Sequence, residues 1–422
     1  MENSKKQQSS IIAIITMMFL FAMISFVTNL AAPFGLIWGN QYSWAGMMGN
    51  MMNFLAYLFM GIPAGMMLER IGYKKTSILA MAVGFIGLAV QYLSSIVGAD
   101  TAIFTVSGEP VMLNFVIYML GAFICGFCVC MLNTVVNPML NLLGGGGNRG
   151  NQLIQTGGTL NSLTATLTPL FVGVLIGQVT DKTAMSDVSP LLFIAMAVFA
   201  ISIVVISFAT IPEPHLRKKG ENKKEKMEHS PLAFRHTLLG VIAIFFYVGI
   251  EVGIPSQLTF YLANPVSDGG IGIANGAAIG GAIAAIYWML MLVGRFSSSF
   301  ISGYVSTRTQ IISMPGYSAA EGFAMFEVPV KCLFIVLCGL CTSVMWGGIF
   351  NLAVEGLGKY TAAASGIFMT MVVGGGIMPL IQNLIASSAG YITSYWLVIA
   401  MLAYILYYGV SGCKNVNKDI PV

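Results

Sequence analysis

Val248-Gly249-Ile250-Glu251-Val252-Gly253-Ile254-Pro255-Ser256-Gln257 is the stretch whose reading decides the fold. It lies inside an apolar run, 238–262, and about 20 apolar residues suffice for a helix to cross a bilayer. Glu251 stands near the middle of that run, too far from either end to snorkel into water. A carboxylate there costs about 2.5–3.5 kcal/mol by insertion scales, so it marks a functional position by default. The spacing recurs in the first apolar run: Pro33 follows Asn29 by four residues, as Pro255 follows Glu251. We read the two as matching positions in related halves, with the acid kept in only one.

The rest of the chain fits a membrane solvent. Of 422 residues, 57% are hydrophobic and 9% charged, with a mean hydropathy of +0.83. Soluble domains carry about 25% charged residues. The formal charge of +4 sits in alternate loops, which describes an orientation in a membrane and argues against a nucleic-acid partner. Six of the 7 cysteines lie in or beside apolar runs, where they read as small packing residues, the Cys125/Cys128 and Cys338/Cys341 pairs included. Redox or metal chemistry would need thiolates in hydrocarbon. The first run lacks a small-residue cleavage site and reads as a retained helix.

Apolar spans are expected at about 11–38, 44–68, 76–97, 111–137, 152–178 and 189–211, then at 237–262, 273–303, 331–356, 362–388 and 391–411. A charged linker, 212–235, separates an N-terminal six-helix bundle, 1–211, from a C-terminal one, 236–422. By the positive-inside rule, the leader, Arg70, Lys74, Lys75, Arg149, the linker, Arg308, Lys359 and the tail are cytoplasmic. Opposite loops hold Asp100, Glu109, Asp187 and Asp268, with Lys182 a basic exception. Both termini are then inside a plasma membrane of bacterial inner-membrane type. Charge parity asks for a twelfth crossing between Arg308 and Lys331, where Pro315, Glu321, Glu327 and Pro329 make a poor span. The ninth helix is expected to be weak or absent.

Paired features extend the repeat. Thr168-Pro169-Leu170 mirrors Met378-Pro379-Leu380, and Gly61 with Gly65 is echoed by Gly294 with Ser298. This favours six plus six helices with substrate near the midplane between halves, the usual build of secondary transporters. Gly157-Gly158 and Gly374-Gly375-Gly376 read as sites of close helix approach.

After the second span comes Gly65-Met66-Met67-Leu68-Glu69-Arg70-Ile71-Gly72-Tyr73-Lys74-Lys75, an acid, an arginine, a glycine and two lysines at a tight turn. It resembles the loop signature of the major facilitator superfamily, with Glu69 where aspartate is commoner. Asn133-Thr134-Val135-Val136-Asn137-Pro138, Leu160-Asn161-Ser162, Phe246-Tyr247-Val248-Gly249-Ile250-Glu251-Val252 and Ile349-Phe350-Asn351-Leu352-Ala353-Val354-Glu355-Gly356-Leu357-Gly358 resemble the fucose–galactose–glucose:proton symporter family. The resemblance covers nearly the whole chain and fails around 307–330. It implies an all-α membrane protein, a major facilitator bundle that imports a monosaccharide with a proton by alternating access. It also exposes departures. The acids that the family's fucose-transporting member carries in its first and fourth helices fall, placed by the following prolines, on Asn29 and Asn133. Amides still bond a sugar but take no proton, and His215, His229 and His236 all lie in or beside the linker.

A sugar site wants amides that donate and accept and rings to stack on. The candidates are Asn29, Asn133, Asn137, Asn161, Gln257 and Asn383, with Tyr247, Trp288 and Trp346 as platforms; interhelical hydrogen bonding or core filling is the plainer alternative for each. Trp38 and Trp44 read as interfacial anchors. Burial disfavours the charged form of a carboxyl, so Glu251 is expected to hold a proton while occluded and release it to a hydrated cytoplasmic cavity. The alternative is a structural acid, bonded to a neighbouring helix or paired with Arg295. Arg295 itself is read as a snorkelling cytoplasmic anchor. Gly65, Glu69, Arg70, Gly72, Lys74, Lys75, Arg295 and Glu355 form the expected gating and loop set. The glycine run 144–147 beside Arg149 lacks the Lys-Ser/Thr ending of a phosphate loop. No enzyme constellation, cofactor or metal site is expected, and a proton or sodium is the coupling ion of a monomer whose partners are a small sugar and the lipid bilayer. Two rival functions stand beside this reading: an uncoupled facilitator or exporter of another polar solute, and a transport-inactive sensor or scaffold.

Overall fold

The computed structural model describes the backbone except residues 1, 43, 47, 107, 177–182, 215, 217–227, 264–265, 267–268, 274–275, 302–307, 309–329, 418–419 and 421–422. The chain is helical almost throughout: α1 (Glu2–Gln41), α2 (Met48–Arg70), α3 (Gly72–Leu93), α4 (Leu113–Leu143), α5 (Gly147–Ile176), α6 (Ser189–Phe208), α7 (Arg235–Ala263) and α8 (Gly276–Ile301). Then follow α9 (Val330–Thr342), α10 (Met345–Val354), α11 (Thr361–Thr370), α12 (Gly374–Ala389) and α13 (Tyr391–Tyr407). Among the described residues, nine stretches are long and apolar enough to cross a membrane. At 30 and 26 residues, α5 and α8 also exceed the length of about 20 that a crossing needs. The doubtful ninth crossing falls on 309–329, outside the described residues.

Two expected spans are interrupted. A turn at Ser343–Val344 divides the tenth into α9 and α10, and a 3-10 turn, Met371–Val373, divides the eleventh into α11 and α12. Broken backbone at membrane depth persists only where protein groups satisfy it, and the first break supplies acceptors to the site below.

The chain divides into two compact units. The first holds Met1–Pro138, Thr164–Lys223 and Ser365–Thr370; the second holds Met139–Leu163, Lys224–Ala364 and Met371–Val422. In the first, α3 packs on α6 and α2, and α1 on α2. Gly84 and Gly87 on α3 leave the room that Cys128 and Cys125 Sγ fill, since an added Cβ would lie 2.8 and 2.6 Å from those atoms. The buried thiols thus work as small packing groups. In the second unit α7 is the hub, packed on α8, α10, α12 and α13. A Cβ on Gly374 would stand 2.0 Å from the Phe245 carbonyl oxygen, and one on Gly249 2.5 Å from Met378 Cβ. Glycine is what brings α12 against α7.

One element escapes the span pattern. Between α3 and α4, β1 (Ala102–Val106) and β2 (Glu109–Met112) form an antiparallel hairpin with a bulge at Ile103. Trp38 is also not an exposed anchor: it is 1% exposed, packed on Tyr42, Phe115 and Tyr118. Its place in a ring cluster, out of reach of solvent, corrects the interfacial reading.

Candidate functional site

Tyr247 and Glu251 are four residues apart on α7 and therefore share a face. Arg295 reaches that face from α8. Its Nη2 donates to Glu251 Oε1 at 3.0 Å and to the Tyr247 hydroxyl at 3.4 Å. Nη1 donates to Ser162 Oγ at 2.8 Å and to the Gly158 carbonyl at 3.4 Å, both on α5. Nε donates to the Ser343 carbonyl at 3.2 Å. A guanidinium has five N–H donors in one plane, and in this site each one meets an acceptor.

Local sequence explains each acceptor. Gly158 leaves room for the arginine stem, because an added Cβ would come within 3.3 Å of Arg295 Cδ. Ser162 follows it by one helical turn. Ser343 lies in the break between α9 and α10, where the backbone turns its carbonyls to side chains. The neighbouring Val344 carbonyl accepts from Gln155 Nε2 at 2.9 Å. Arg295 is 8% exposed and held by α5, α7 and the turn at Ser343, so the snorkelling reading is overturned. The cause is the supply of five acceptors, which makes burial cheaper than reaching for water. Of the ion pair, the Glu251 side chain keeps 15% of its surface exposed and the Arg295 side chain 9%. The acid is the more accessible partner. Trp346 joins the cluster, its ring 6.2 Å from that of Tyr247.

The remaining candidates are distributed. In the first unit Asn133 and Asn137 are buried on α4; Asn133 Nδ2 donates to the Tyr57 hydroxyl at 2.8 Å, and Asn137 Nδ2 to the Asn133 carbonyl at 2.8 Å. Half-buried Asn29 donates back to its own helix, to Ser25 O at 2.8 Å and Ser25 Oγ at 3.1 Å. In the second unit Asn161 is half-buried, next to the Ser162 that contacts Arg295. Gln257 is buried and turns to α12, its Nε2 3.5 Å from the Pro379 carbonyl. Trp288 packs edge-on against Tyr287, and Asn383 is exposed beside Leu384. So Tyr247, Glu251, Arg295 and Trp346 meet; Gln257 and Asn383 do not join them.

The turn motif is built around a carboxylate that the motif does not contain. Glu213, just past α6, accepts from the backbone N–H groups of Tyr73 and Lys74, the latter at 2.9 Å. Gly72, at φ 84, must be glycine twice over: for the left-handed backbone and because a Cβ would lie 2.3 Å from Glu213 Oε2. An acid at a helix N-terminus meets the positive end of the dipole. Of the motif residues, Gly65 is buried, Glu69 and Lys74 are half-buried, and Arg70 and Lys75 are exposed. Glu355 ends α10 exposed, its carbonyl 3.0 Å from His236 Nε2. Gln155, Ser343 and Glu213 were missed by sequence reasoning, which read Gly158 only as a site of close helix approach; of the three, only Glu213, set between Pro212 and Pro214 at a helix end, had a local signal.

The major facilitator superfamily model matches residues 10–378. The glucose/galactose transporter of Brucella abortus biovar 1 (strain 9-941) is 30% identical over 371 residues, covering 86% of this chain and 84% of that one. The L-fucose-proton symporter of Escherichia coli K12 is 22% identical over 382 residues, covering 84% and 81%. A crystal structure of the E. coli fucose:proton symporter superposes with a TM-score of 0.75 at 19% identity, over 95% of this chain and 98% of that chain.

Proposed function

This chain belongs to the major facilitator superfamily, a multi-pass membrane transporter and not an enzyme, and from that premise we propose that it imports a monosaccharide together with a proton by alternating access. The resemblance to a glucose/galactose transporter across most of both chains supports a hexose-class substrate. The observation that carries the coupling is the buried Glu251–Arg295 pair, with the acid as its more accessible member. In the proposed cycle, Glu251 exchanges its guanidinium partner for a proton, crosses occluded and neutral, and gives the proton up when the cytoplasmic side hydrates. Tyr247 and Trp346 offer ring faces beside that acid, and Asn29, Asn133, Asn137 and Asn161 remain candidates for hydroxyl contacts. Both termini are assigned to the cytoplasm, and the working unit to a monomer.

The test uses the purified chain in proteoliposomes, with radiolabelled glucose, galactose and fucose. Counterflow of one of them, with alkalinisation of the medium on sugar addition to cells, is the expected result. Absence of counterflow for every sugar removes the substrate class. A second reading, an uncoupled facilitator, draws on one observation: an amide, Asn133, already bonded to Tyr57, stands where the family resemblance implies an acid. Counterflow without alkalinisation favours it.

A further inference from the structure

The β1–β2 hairpin lies outside the transport site, and its surface is unusual. Two large apolar residues in a row, Ile103 and Phe104, are 50% and 49% exposed. They are not the tip of a free loop. The Leu113 N–H donates to the Thr101 carbonyl at 2.8 Å, Asn114 N–H to Gly98 O at 3.2 Å, and Met112 N–H to the Tyr42 hydroxyl at 3.1 Å. The hairpin is thereby pinned to the ends of α3 and α4 and to the residue that follows α1.

Its faces differ. Phe104 pairs with Val111 across the ladder, so the two side chains share a face. Val111 is fully buried, which turns that face towards the helix ends, yet Phe104 is half-exposed on it. Phe104 therefore overhangs the rim of the helices. The bulge breaks the alternation at Ile103 and leaves a second apolar side chain uncovered beside it. The helix that leads into the hairpin is a candidate membrane span with exposed apolar positions of its own. Ile86, Leu93 and Val97, at helical spacing, are all exposed along α3 and the turn after it, and the chain runs from Val97 through Gly98, bonded to Asn114, into the hairpin.

We propose that the hairpin rests in the interfacial layer of the bilayer on the side of the 98–114 loop, with Ile103 and Phe104 seated among lipid glycerol and upper acyl groups. A pinned apolar overhang adjoining a lipid-facing stripe has the bilayer as its natural occupant. Glu109, at the far end of the same hairpin, is exposed and stays on the water side. The proposal needs only that the chain spans a membrane, and stands apart from which solute it carries.

A nitroxide on Phe104→Cys, in the full chain in proteoliposomes, tests it, with the labelled parent and its native cysteines as background. The ratio of oxygen to nickel-chelate collisions is expected to exceed, several-fold, the ratio for a label on Glu109→Cys. Equal ratios at the two positions overturn the proposal. So does dipolar broadening between labels, which would put a second copy of the chain on this face. Should Phe104→Cys fail to fold, Ile103→Cys is read by the same criterion.

Discussion

Asn133 with Asn137 on α4 and Tyr247 with Glu251 on α7 are both polar pairs set one turn apart inside an apolar helix, and the second has Arg295 beside it. Of the amide pair, Asn133 donates to a tyrosine hydroxyl and Asn137 to its own helix backbone. Neutral bonds of that kind contribute about 0.6 kcal/mol each in a membrane protein. The acid requires far more. It stands where Arg295 can be held, and Arg295 is held because α5, α7 and a broken tenth span together present five acceptors. Charge inside this protein is thus a property of a whole neighbourhood, while these amides draw on their own helix and a tyrosine of α2.

The largest test of that contrast is Arg295→Met. It leaves Glu251 buried without its counter-charge, and breaking such a pair costs about 3–5 kcal/mol. Thermal unfolding in detergent should fall steeply and uptake should vanish, with Arg295→Lys failing to restore either, since a point charge cannot serve five planar acceptors. Parent-like stability of Arg295→Met would erase the contrast. Asn133→Asp comes next. It introduces a charge on α4 beside a tyrosine hydroxyl and its own helix, at about 2.5–3.5 kcal/mol, and lowers both yield and melting temperature. If instead it is tolerated and adds proton uptake, the two pairs are more alike than their partners indicate.

A smaller effect on stability, about 1–3 kcal/mol, is expected from Glu251→Gln, which keeps the shape and removes the charge. Its functional signature is sharper: accumulation against a gradient is lost while counterflow persists. Full accumulation by Glu251→Gln sinks the coupling proposal and leaves the transporter reading standing. The smallest is Ser162→Ala, worth about 1 kcal/mol or less, because four of the five acceptors remain. A loss as large as that of Arg295→Met would mean that α5 carries the site in a way the bonds do not account for.

Much of this was legible in residues alone. Run lengths located the helices, and the loop signature with the quoted segments on both sides of the linker pointed to the superfamily, whose model then matched most of the chain. The mid-helix position of Glu251 marked it without any structure. Arg295 was misread because it sits six residues from the end of α8, within the nominal reach of a snorkelling side chain. What holds it comes from Ser162, 133 residues earlier, and Ser343, 48 residues later. The hairpin was missed for another reason. The residues Ala102–Val106 and Glu109–Met112 are short and sit between two strong apolar runs, so the longer signal masked the alternation.

By itself the sequence determined the solvent, the helices and the one acid placed where acids are expensive, because hydropathy and period are local quantities. Tertiary structure decided that this acid takes Arg295, one of the partners the residues left open, and it alone decided that the arginine is saturated and that Glu213 caps α3. Hydrogen bonds and ion pairs depend on which distant segments meet and how their backbones are broken, and no spacing along the chain encodes that.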